Sequence, residues 1–365
     1  QLQSKRALAV AAAGRHNILF IGPPGSGKTM LMRRLAGILP PLDDEEALEV
    51  TKIYSACGRL SDRGALVRRR PFRAPHHTIT VQGLIGGGTH PQPGEASLAH
   101  RGVLFLDELP EFSRAALEAL RQPLEDGAVT VARARGSYTF PARFMLAAAM
   151  NPCRCGYDGY EEEGRACSCP LPAKLAYLSR LSGPFMDRID ITMDVPRLRP
   201  EETAERGPHA EWSGTSGVAA QYADTRSLRE LVERAREMQR RRYAGTGLRC
   251  NAELAGPMLE RFCRMSREAS AKLAAAYGAH ALSARAHDKV LRVARTIADL
   301  EGSERIEAHH VHEALLYRAF DARMRRLREG EKVDASGNGR GAAVFEGRPV
   351  CLRAGSGENR AKSGC

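Results

Sequence analysis

The chain contains 365 residues, of which 43% are hydrophobic and 27% are charged. These proportions are ordinary for globular proteins, so they exclude a wholly disordered chain, a collagen-like fibre and a coiled-coil rod. The length favours about two domains. No apolar run approaches the ~20 residues that a membrane-spanning helix needs, so no membrane association is expected. Because no signal peptide is recognisable, the expected location is the cytoplasm.

Basic residues outnumber acidic residues by 55 to 43, which gives a formal net charge of +12. This excess favours a polyanionic partner such as nucleic acid, although a codon bias towards arginine produces the same composition. The nine cysteines are an odd number, and nothing indicates secretion, so a disulfide framework is not expected. The first residue is Gln1 and a helical pattern is already under way there, so we expect the chain to begin inside a larger protein.

The first part of the chain has the pattern of an α/β domain. Short apolar runs alternate with helical patterns over residues 1–197, which predicts a core with a mainly parallel sheet. The runs at residues 17–21, 103–106 and 144–150 are almost continuously apolar, as is typical of strands buried on both faces. Residues 198–226 contain Pro, Gly, Ser and Thr without periodicity and are predicted to form a linker.

The second part of the chain has a helical pattern. Apolar residues fall on one helix face from residue 228 onward, and further helices are predicted over about 284–300 and 308–327. Residues 227–328 are therefore predicted to form an all-α domain. Residues 329–365 are rich in glycine and charge, and we expect them to be a disordered tail.

A glycine-rich loop follows the first predicted strand. It matches the phosphate-binding pattern G-x-x-x-x-G-K-[ST] and precedes an apolar helix; its residues are Gly22, Pro23, Pro24, Gly25, Ser26, Gly27, Lys28 and Thr29. In such a loop the backbone N–H groups surround a β-phosphate, the lysine reaches the β and γ oxygens, and the hydroxyl holds Mg²⁺. The strand and helix on either side disfavour the alternative of a chance glycine-rich turn.

Two carboxylates follow the apolar strand predicted at residues 103–106. Asp107, at the strand tip, is expected to hold the coordination shell of Mg²⁺. Glu108 is expected to polarise the attacking water, because phosphoryl transfer leaves these two tasks to side chains. The alternative is an acidic surface turn after a core strand.

With these two motifs the sequence resembles the AAA+ ATPases. Further motifs narrow the resemblance to the magnesium-chelatase-like group known as YifB or ComM; they are RPFRAPHHT (70–78), LIGGG (84–88), PGE (93–95), LAHRG (98–102), LRQPLE (120–125), YTFPARF (138–144), AMNPC (149–153), RCN (249–251), RFC (261–263) and the stretch 282–302. The resemblance implies a P-loop AAA+ core followed by an all-α lid similar to the magnesium-chelatase C-terminal domain. It also implies ATP and Mg²⁺ as cofactors and a homo-oligomeric ring, typically a hexamer. Members carry an N-terminal domain similar to the Lon protease fold, which is missing from this chain.

The resemblance also assigns roles to three residues outside the loop. Asn151 matches sensor 1, which positions the hydrolytic water. Arg188, in the motif LSGPFMDRID (181–190), matches the arginine finger that reaches into a neighbouring subunit's site. Arg285 matches sensor 2, and both guanidinium groups would neutralise charge on the transferred phosphoryl group. Without the resemblance, each would be only a surface or ion-paired residue.

Two insertions distinguish this group from simpler AAA+ proteins. One covers about residues 74–101, and the other, about 128–143, is predicted to be a β-hairpin. Arg133 and Arg135 are expected on an exposed face of the hairpin, because valines alternate along it. Hairpins of related ring helicases line a central pore and contact nucleic acid, so these arginines are candidate phosphate contacts. The alternative is a solvated hairpin with incidental charge.

Four cysteines are clustered in a loop at residues 153–169: Cys153, Cys155, Cys167 and Cys169. Two pairs of thiolates suit tetrahedral Zn²⁺, although the C-x-C spacing is less common than C-x₂-C. Structural zinc and free thiols both remain open. His76 and His77 are candidate ligands or acid–base groups, but packing or helix-capping roles are favoured, and nothing in the sequence places them near the nucleotide.

The sequence thus predicts a Mg·ATP-hydrolysing AAA+ motor. The resemblance implies a helicase or translocase that acts on single-stranded or branched DNA and drives branch migration during DNA uptake. The alternatives are a chelatase-type or chaperone-like ATPase that remodels a protein partner without DNA.

Overall fold

A computed structural model describes residues 1–60, 66–133, 136–160, 165–197, 222, 224–280 and 283–336. The strands are β1 (Ile18–Ile21), β2 (Phe72–Arg73), β3 (Gly86–Gly87), β4 (Gln92–Pro93), β5 (Val103–Leu106), β6 (Ala128–Arg133), β7 (Gly136–Pro141), β8 (Met145–Met150) and β9 (Ile191–Asp194). The helices of the first part are α1 (Leu2–Gly14), α2 (Lys28–Ile38), α3 (Asp44–Ala56), α4 (Val81–Ile85), α5 (Glu95–Leu98), α6 (Arg114–Ala119), α7 (Arg121–Asp126), α8 (Leu171–Leu178) and α9 (Gly183–Met186). Those of the second part are α10 (Thr225–Arg242), α11 (Pro257–Phe262), α12 (Arg267–His280), α13 (Ala284–Leu300), α14 (Ala308–Leu316) and α15 (Ala319–Ser336).

The core is a five-stranded sheet in the order β2-β5-β8-β1-β9. Every pairing in it is parallel, with Ile18 of β1 opposite Ala147 on one side and Ile191 on the other. Strands β1, β5 and β8 are buried along their whole length, as their continuous apolar runs predict. The parallel sheet of the predicted α/β fold is confirmed. The residues that follow β1, β5 and β8 lie together at the carboxyl edge of the sheet.

A hairpin of β6 and β7 lies in the region for which the sequence predicts one. Its antiparallel ladder places Val131 opposite Tyr138 and ends with Arg133 opposite Gly136. Val129 and Val131 are buried in a hydrophobic cluster of the core, whereas Tyr138 is exposed. The side chain of Arg133 and all of Arg135 lie outside the described residues, so the predicted exposed face of arginines stays a prediction.

The second part of the chain is helical and packs against the sheet domain. Asp224 and Ser283 cap α10 and α13 by accepting hydrogen bonds from backbone N–H groups three residues on. Both helices pack on α1, whose alanine-rich stretch at residues 7–13 is fully buried and allows close approach. One hydrophobic cluster runs through the sheet, α1 and these helices, so the sheet domain and the predicted all-α region share a core.

A buried ionic cluster fixes the end of α13. The carboxylate of Asp299 accepts hydrogen bonds from Arg242, Arg295 and Asn251. The side chains of Arg295 and Asp299 are completely buried. A buried charge is tolerated when it is paired and hydrogen-bonded, so each member depends on the others.

The last predicted helix differs from the structure. The sequence predicts one helix over 308–327, but two helices, α14 and α15, are separated at Tyr317 and Arg318. The break arises because the backbone here pairs with the outer strand β9: the N–H of Thr192 donates to the carbonyl of Tyr317, and Thr192 forms a bridge with Arg318. Helix α15 extends to Ser336, so residues 329–336 of the predicted tail are helical.

Among the described residues, no helix is both long and apolar enough to cross a lipid bilayer.

Candidate nucleotide-binding site

The loop between β1 and α2 has the backbone of a phosphate cradle. Gly27 caps α2 with φ 84° and ψ 12°, a left-handed conformation that glycine adopts without cost. Gly22 lies so close to the backbone that a Cβ atom would be 2.2 Å from the carbonyl oxygen of Val195. The helix N-terminus supplies unpaired N–H groups and a positive dipole end, which together favour an anion.

Lys28 lies inside this loop. Its Nζ donates hydrogen bonds to the carbonyl oxygens of Gly22 (2.7 Å) and Pro23 (2.8 Å) and lies 3.4 Å from Oδ1 of Asn151. Burial lowers the pKa of Lys28 to about 8, against the opposing effect of the Asp107 carboxylate. The structure thus brings the predicted phosphate-binding lysine and the predicted sensor 1 together.

Thr29 and Asp107 are also in contact. The hydroxyl of Thr29 donates a 2.8 Å hydrogen bond to Oδ2 of Asp107. A hydroxyl and a carboxylate are the hard oxygen donors that Mg²⁺ prefers. In nucleotide sites Mg²⁺ takes few protein ligands, and phosphates and water complete its coordination shell. The two side chains therefore fit the role that the sequence predicts for them.

Glu108 occupies a strained turn after β5. Its φ of 51° and ψ of 47° lie in the left-handed region, which costs a non-glycine residue about 1–2 kcal/mol. The next two residues, Leu109 and Pro110, are buried and hold the turn, and the carbonyl of Glu108 accepts a 2.7 Å hydrogen bond from Glu111. Its side chain is 60% exposed, so the carboxylate faces solvent at the sheet edge.

His77 lies next to Glu108, which the sequence did not indicate. Its Nδ1 is 3.4 Å from Oε2 of Glu108. The sequence placed neither histidine; the structure brings His77 to the edge of the candidate site, whereas His76 makes a local turn contact with Thr78. The sheet topology explains why His77 lies there. Strand β2 is parallel to its neighbour β5, so the residues after β2 lie at the same edge of the sheet as Glu108.

Arg188 and Arg285 lie near the same carboxylate, that of Glu125, and together they lower its pKa, Arg188 through a hydrogen bond. Arg188 pairs with Glu125, and Nη1 of Arg285 is 3.7 Å from Oδ2 of Asp187. Lys289 fixes this arrangement, because its Nζ donates to the backbone carbonyls of residues 186 and 189 at 3.2 and 3.1 Å. The predicted arginine finger and sensor 2 are thus brought together with each other, each beside a carboxylate of its own chain.

The four clustered cysteines converge. Their sulfur atoms all lie within 4.8 Å of one another, with separations of 3.3 Å from Cys153 to Cys155, 3.8 Å from Cys153 to Cys167 and 3.6 Å from Cys155 to Cys167. Tetrahedral zinc with Zn–S bonds of about 2.3 Å requires sulfur–sulfur separations of about 3.8 Å. Burial opposes ionisation of Cys155, but the Tyr157 N–H and the neighbouring thiols prevail and lower its pKa to about 6. The donor set fits Zn²⁺.

The cysteine loop packs directly on the phosphate loop. A Cβ atom on Gly156 would lie 2.7 Å from Cδ of Pro24. Further along, the Tyr160 hydroxyl donates a 2.7 Å hydrogen bond to Asp194 at the end of β9, and Arg323 of α15 bonds the same carboxylate at 3.1 Å. No motif in the sequence indicated this contact between the two loops.

The chain is similar to known protein families and proteins over most of its length. The sequence profile of the family described as "Magnesium chelatase, subunit ChlI" matches residues 1–203, and that of "Magnesium chelatase, subunit ChlI C-terminal" matches residues 223–318. The chain is 45% identical over 329 residues to competence protein ComM of Haemophilus influenzae, covering 90% of this chain and 60% of that protein. It is 44% identical over 321 residues to the uncharacterized protein YifB of Escherichia coli, covering 88% and 59%.

A more distant relative is the magnesium-chelatase 67 kDa subunit of Heliobacterium mobile, at 28% identity over 184 residues, covering 43% of this chain and 28% of that protein. The chain spans about 60% of the length of the curated YifB and ComM relatives. The resemblance predicted from the motifs is confirmed: the chain belongs to the magnesium-chelatase-like family of AAA+ ATPases, together with YifB and ComM.

Proposed function

We propose that the protein binds Mg·ATP at the carboxyl edge of the sheet and hydrolyses it. The observation that carries this proposal is the convergence of Lys28, the Thr29–Asp107 pair and Asn151 around one helix N-terminus, with Glu108 beside them. Glu108 accepts the proton of a water whose oxygen attacks the γ-phosphorus, while the bond to the bridging oxygen breaks and its electron pair leaves with ADP. Mg²⁺, when bound, supplies charge neutralisation at the β and γ oxygens, and Lys28 adds to it.

The proposed active unit is a homo-oligomeric ring, for which we propose a hexamer. Arg188 and Arg285 would together enter the ATP site of the neighbouring subunit. Their proximity supports a joint role, and Arg285 is 65% exposed. The ion pair of Arg285 with Asp187 is exposed on both sides, and such pairs are worth about 1 kcal/mol or less, so exchange of Asp187 for a triphosphate is favourable. The side chain of Arg188 is 14% exposed, and its partner Glu125 is 60% exposed.

The proposed substrate of the motor is single-stranded or branched DNA, in the cytoplasm, and the proposed task is branch migration during DNA uptake. The similarity to competence protein ComM supports this task. The net charge of +12 and the sequence positions of Arg133 and Arg135, between the two halves of the predicted hairpin, support a polyanionic partner. A second candidate is a chelatase-type motor that remodels a protein, and the similarity to the magnesium-chelatase 67 kDa subunit favours it.

Phosphate release by the full chain with and without DNA distinguishes these candidates. A DNA motor predicts faster ATP hydrolysis with single-stranded or forked DNA. The double variant Arg133→Ala/Arg135→Ala should lose this stimulation but keep its basal rate. The control is Arg240→Ala/Arg241→Ala on the exposed face of helix α10. It removes equal charge elsewhere and should leave stimulation intact. An absence of stimulation by any DNA would contradict the DNA proposal and favour a protein client.

We also propose that Cys153, Cys155, Cys167 and Cys169 hold a structural Zn²⁺. The sulfur separations support this proposal, and the buried position of Cys153 excludes water from one side. Metal analysis of the purified protein should find about one zinc per chain. Cys153→Ser/Cys167→Ser should remove it, whereas Cys57→Ser, outside the cluster, should retain it. A metal-free parent protein that is fully folded would contradict the proposal.

A further inference from the structure

We propose that Lys289 is a positioning residue for Arg188, the predicted arginine finger. Nζ of Lys289 donates hydrogen bonds to the backbone carbonyls of Met186 and Ile189, at 3.2 and 3.1 Å. These two carbonyls lie on either side of Arg188 in the chain. The inference rests on the proposed sharing of ATP sites between subunits, and it gives a task to a lysine that the resemblance leaves without one.

Arg188 lies at the edge of the sheet opposite to its own phosphate loop. Strand β9 is parallel to β1, with Ile18 opposite Ile191 and Ile21 opposite Asp194. Arg188 precedes β9, so it lies at the amino edge, whereas the phosphate loop follows β1 at the carboxyl edge. The four residues of β9 span about 13 Å between the two edges. If Arg188 acts on ATP, it therefore acts at a neighbouring subunit's site.

One face of α13 contacts residues 186–190, the segment that carries the predicted finger. Arg285 and Arg292 each have a guanidinium nitrogen 3.7 Å from a carboxylate of this segment. Lys289 lies between them and bonds the backbone. Spacings of four and three residues place the three side chains along one stripe of the helix. Because Lys289 holds backbone carbonyls, it fixes the course of the chain as well as its side chains.

The environment of Lys289 suits this task. Its side chain is buried, with 5% exposure, and burial lowers its pKa. A buried ammonium group is costly unless it is hydrogen-bonded. Met186 is the last residue of α9, and the final carbonyls of a helix lack partners within it. Each side of the contact thus satisfies a polar group that is otherwise costly to bury, which holds α9 and α13 in a fixed relation.

A second anchor holds the same turn from the sheet. The Nδ2 group of Asn17 donates a 2.7 Å hydrogen bond to the carbonyl of Arg188 itself. The Oδ1 atom of Asn17 accepts the N–H of Leu146 on β8. The finger turn is therefore tied to the sheet by Asn17 and to α13 by Lys289. Loss of Lys289 leaves the sheet anchor in place, so we expect a displaced turn in a folded protein.

Lys289 acts through Arg188 and does not touch ATP. In the proposed reaction the guanidinium of Arg188 neutralises charge on the γ-phosphoryl oxygens of the transition state. Displacing such a group by about 1 Å can cost about 100-fold in rate. Because this stabilisation belongs to the transition state, its loss lowers kcat and leaves the binding of Mg·ATP intact.

The first test is the steady-state kinetics of ATP hydrolysis by variants of the full chain. Lys289→Met removes the donors but keeps most of the apolar side chain. It should lower kcat at least about tenfold and leave the dissociation constant for Mg·ATP within about twofold. Lys289→Arg retains N–H donors and should keep most of the rate. Lys52→Met removes an exposed lysine of α3 and, as the control, should match the wild type.

The decisive test mixes subunits, because a displaced finger harms only the site of the neighbour. Lys28→Ala subunits lack a working phosphate loop but present an intact Arg188. Adding them to Lys289→Met subunits should raise turnover at least about threefold above the sum of the two proteins alone, since intact loops then face intact fingers. Subunits that carry both substitutions should give no such rise. Lys289→Gln, whose nitrogen lies one atom nearer the backbone, gives the same comparison if Lys289→Met does not fold.

Two results would overturn the inference. One is a Lys289→Met protein with normal kcat. The other is a mixture that stays inactive although Arg188→Ala subunits do regain turnover with Lys28→Ala subunits, because Lys289 would then support only its own subunit. If Arg188→Ala subunits also regain nothing, the sharing of sites is refuted and the inference fails with it. A wild-type protein that hydrolyses no ATP would instead refute the proposed function itself.

Discussion

The contact between the cysteine loop and the phosphate loop makes Gly156→Ala an informative change. Gly156 has φ 92°, and a Cβ atom there would lie 2.7 Å from Cδ and 2.9 Å from Cγ of Pro24. Ordinary van der Waals contact begins at 3.4 Å, so one of the loops must move by about 0.7 Å. Because the cysteine loop is anchored through Tyr160 and Asp194, we expect much of this movement to fall on the phosphate loop.

The expected effect has two parts. The left-handed backbone costs an alanine about 1–2 kcal/mol of folding free energy, and overpacking adds about 1–3 kcal/mol. In a displaced phosphate loop the backbone N–H groups no longer point at the phosphate oxygens, so nucleotide binding is weakened. A loss of about 1.4 kcal/mol in binding free energy corresponds to a tenfold lower affinity. Gly245→Ala is the matched control, because Gly245 has φ 77° with no atom within 4 Å of its added Cβ.

The assay is equilibrium titration with a fluorescent ATP analogue and Mg²⁺, together with thermal unfolding. Gly156→Ala should bind the nucleotide about tenfold more weakly than Gly245→Ala and unfold at a lower temperature. Equal affinity in the two variants would refute the argument, because the phosphate loop would then be insensitive to the loop packed on it.

Three further outcomes follow from the structure. Burial lowers the pKa of His100 from 6.5 to about 4, and its Nδ1 accepts the N–H of Arg143. The unfolded chain binds the proton first, so urea unfolding should show about 2 kcal/mol of stability lost from pH 6.5 to 4.5, and a flat profile would contradict this. Asp299→Ala leaves the buried guanidinium of Arg295 and the mostly buried one of Arg242 without a carboxylate. It should cost about 3–5 kcal/mol in the same assay, and a loss below about 1 kcal/mol would contradict this. If each site uses the phosphate loop of one subunit and the arginines of its neighbour, two inactive variants should complement each other. Mixing Arg188→Ala/Arg285→Ala subunits, whose phosphate loop is intact, with Lys28→Ala subunits should restore ATP turnover. A mixture that stays inactive would argue against sites shared between subunits.

The phosphate loop and the two carboxylates were predictable because their signals are local. A strand, a loop and a helix N-terminus follow one another within residues 17–39, and chain connectivity alone brings Lys28 to the cradle. Asp107 and Glu108 follow a run of four buried residues, which marks a central strand. Parallel pairing then brings the ends of β1, β5 and β8 together, so the site follows from the fold class.

The other features depend on contacts between distant segments. His77 reaches Glu108 only because a strand of two residues, β2, pairs with β5, and so short a strand has no sequence signature. The helix break at Tyr317 has no Pro or Gly to mark it and arises from pairing with Thr192. Likewise, the spacing of the cysteines indicated a metal site but not that Gly156 would pack on Pro24.

We propose that the loop from Gly22 to Thr29 binds the triphosphate of Mg·ATP, with Lys28 as its charged contact. The dissociation constant for ATP in the presence of Mg²⁺, measured by titration for the wild-type protein and for Lys28→Ala, tests this proposal. We expect saturable binding by the wild type and affinity weakened at least about 100-fold in the variant, equivalent to about 2.7 kcal/mol. Equal affinity in the two proteins, or no binding by a folded wild type, would contradict it.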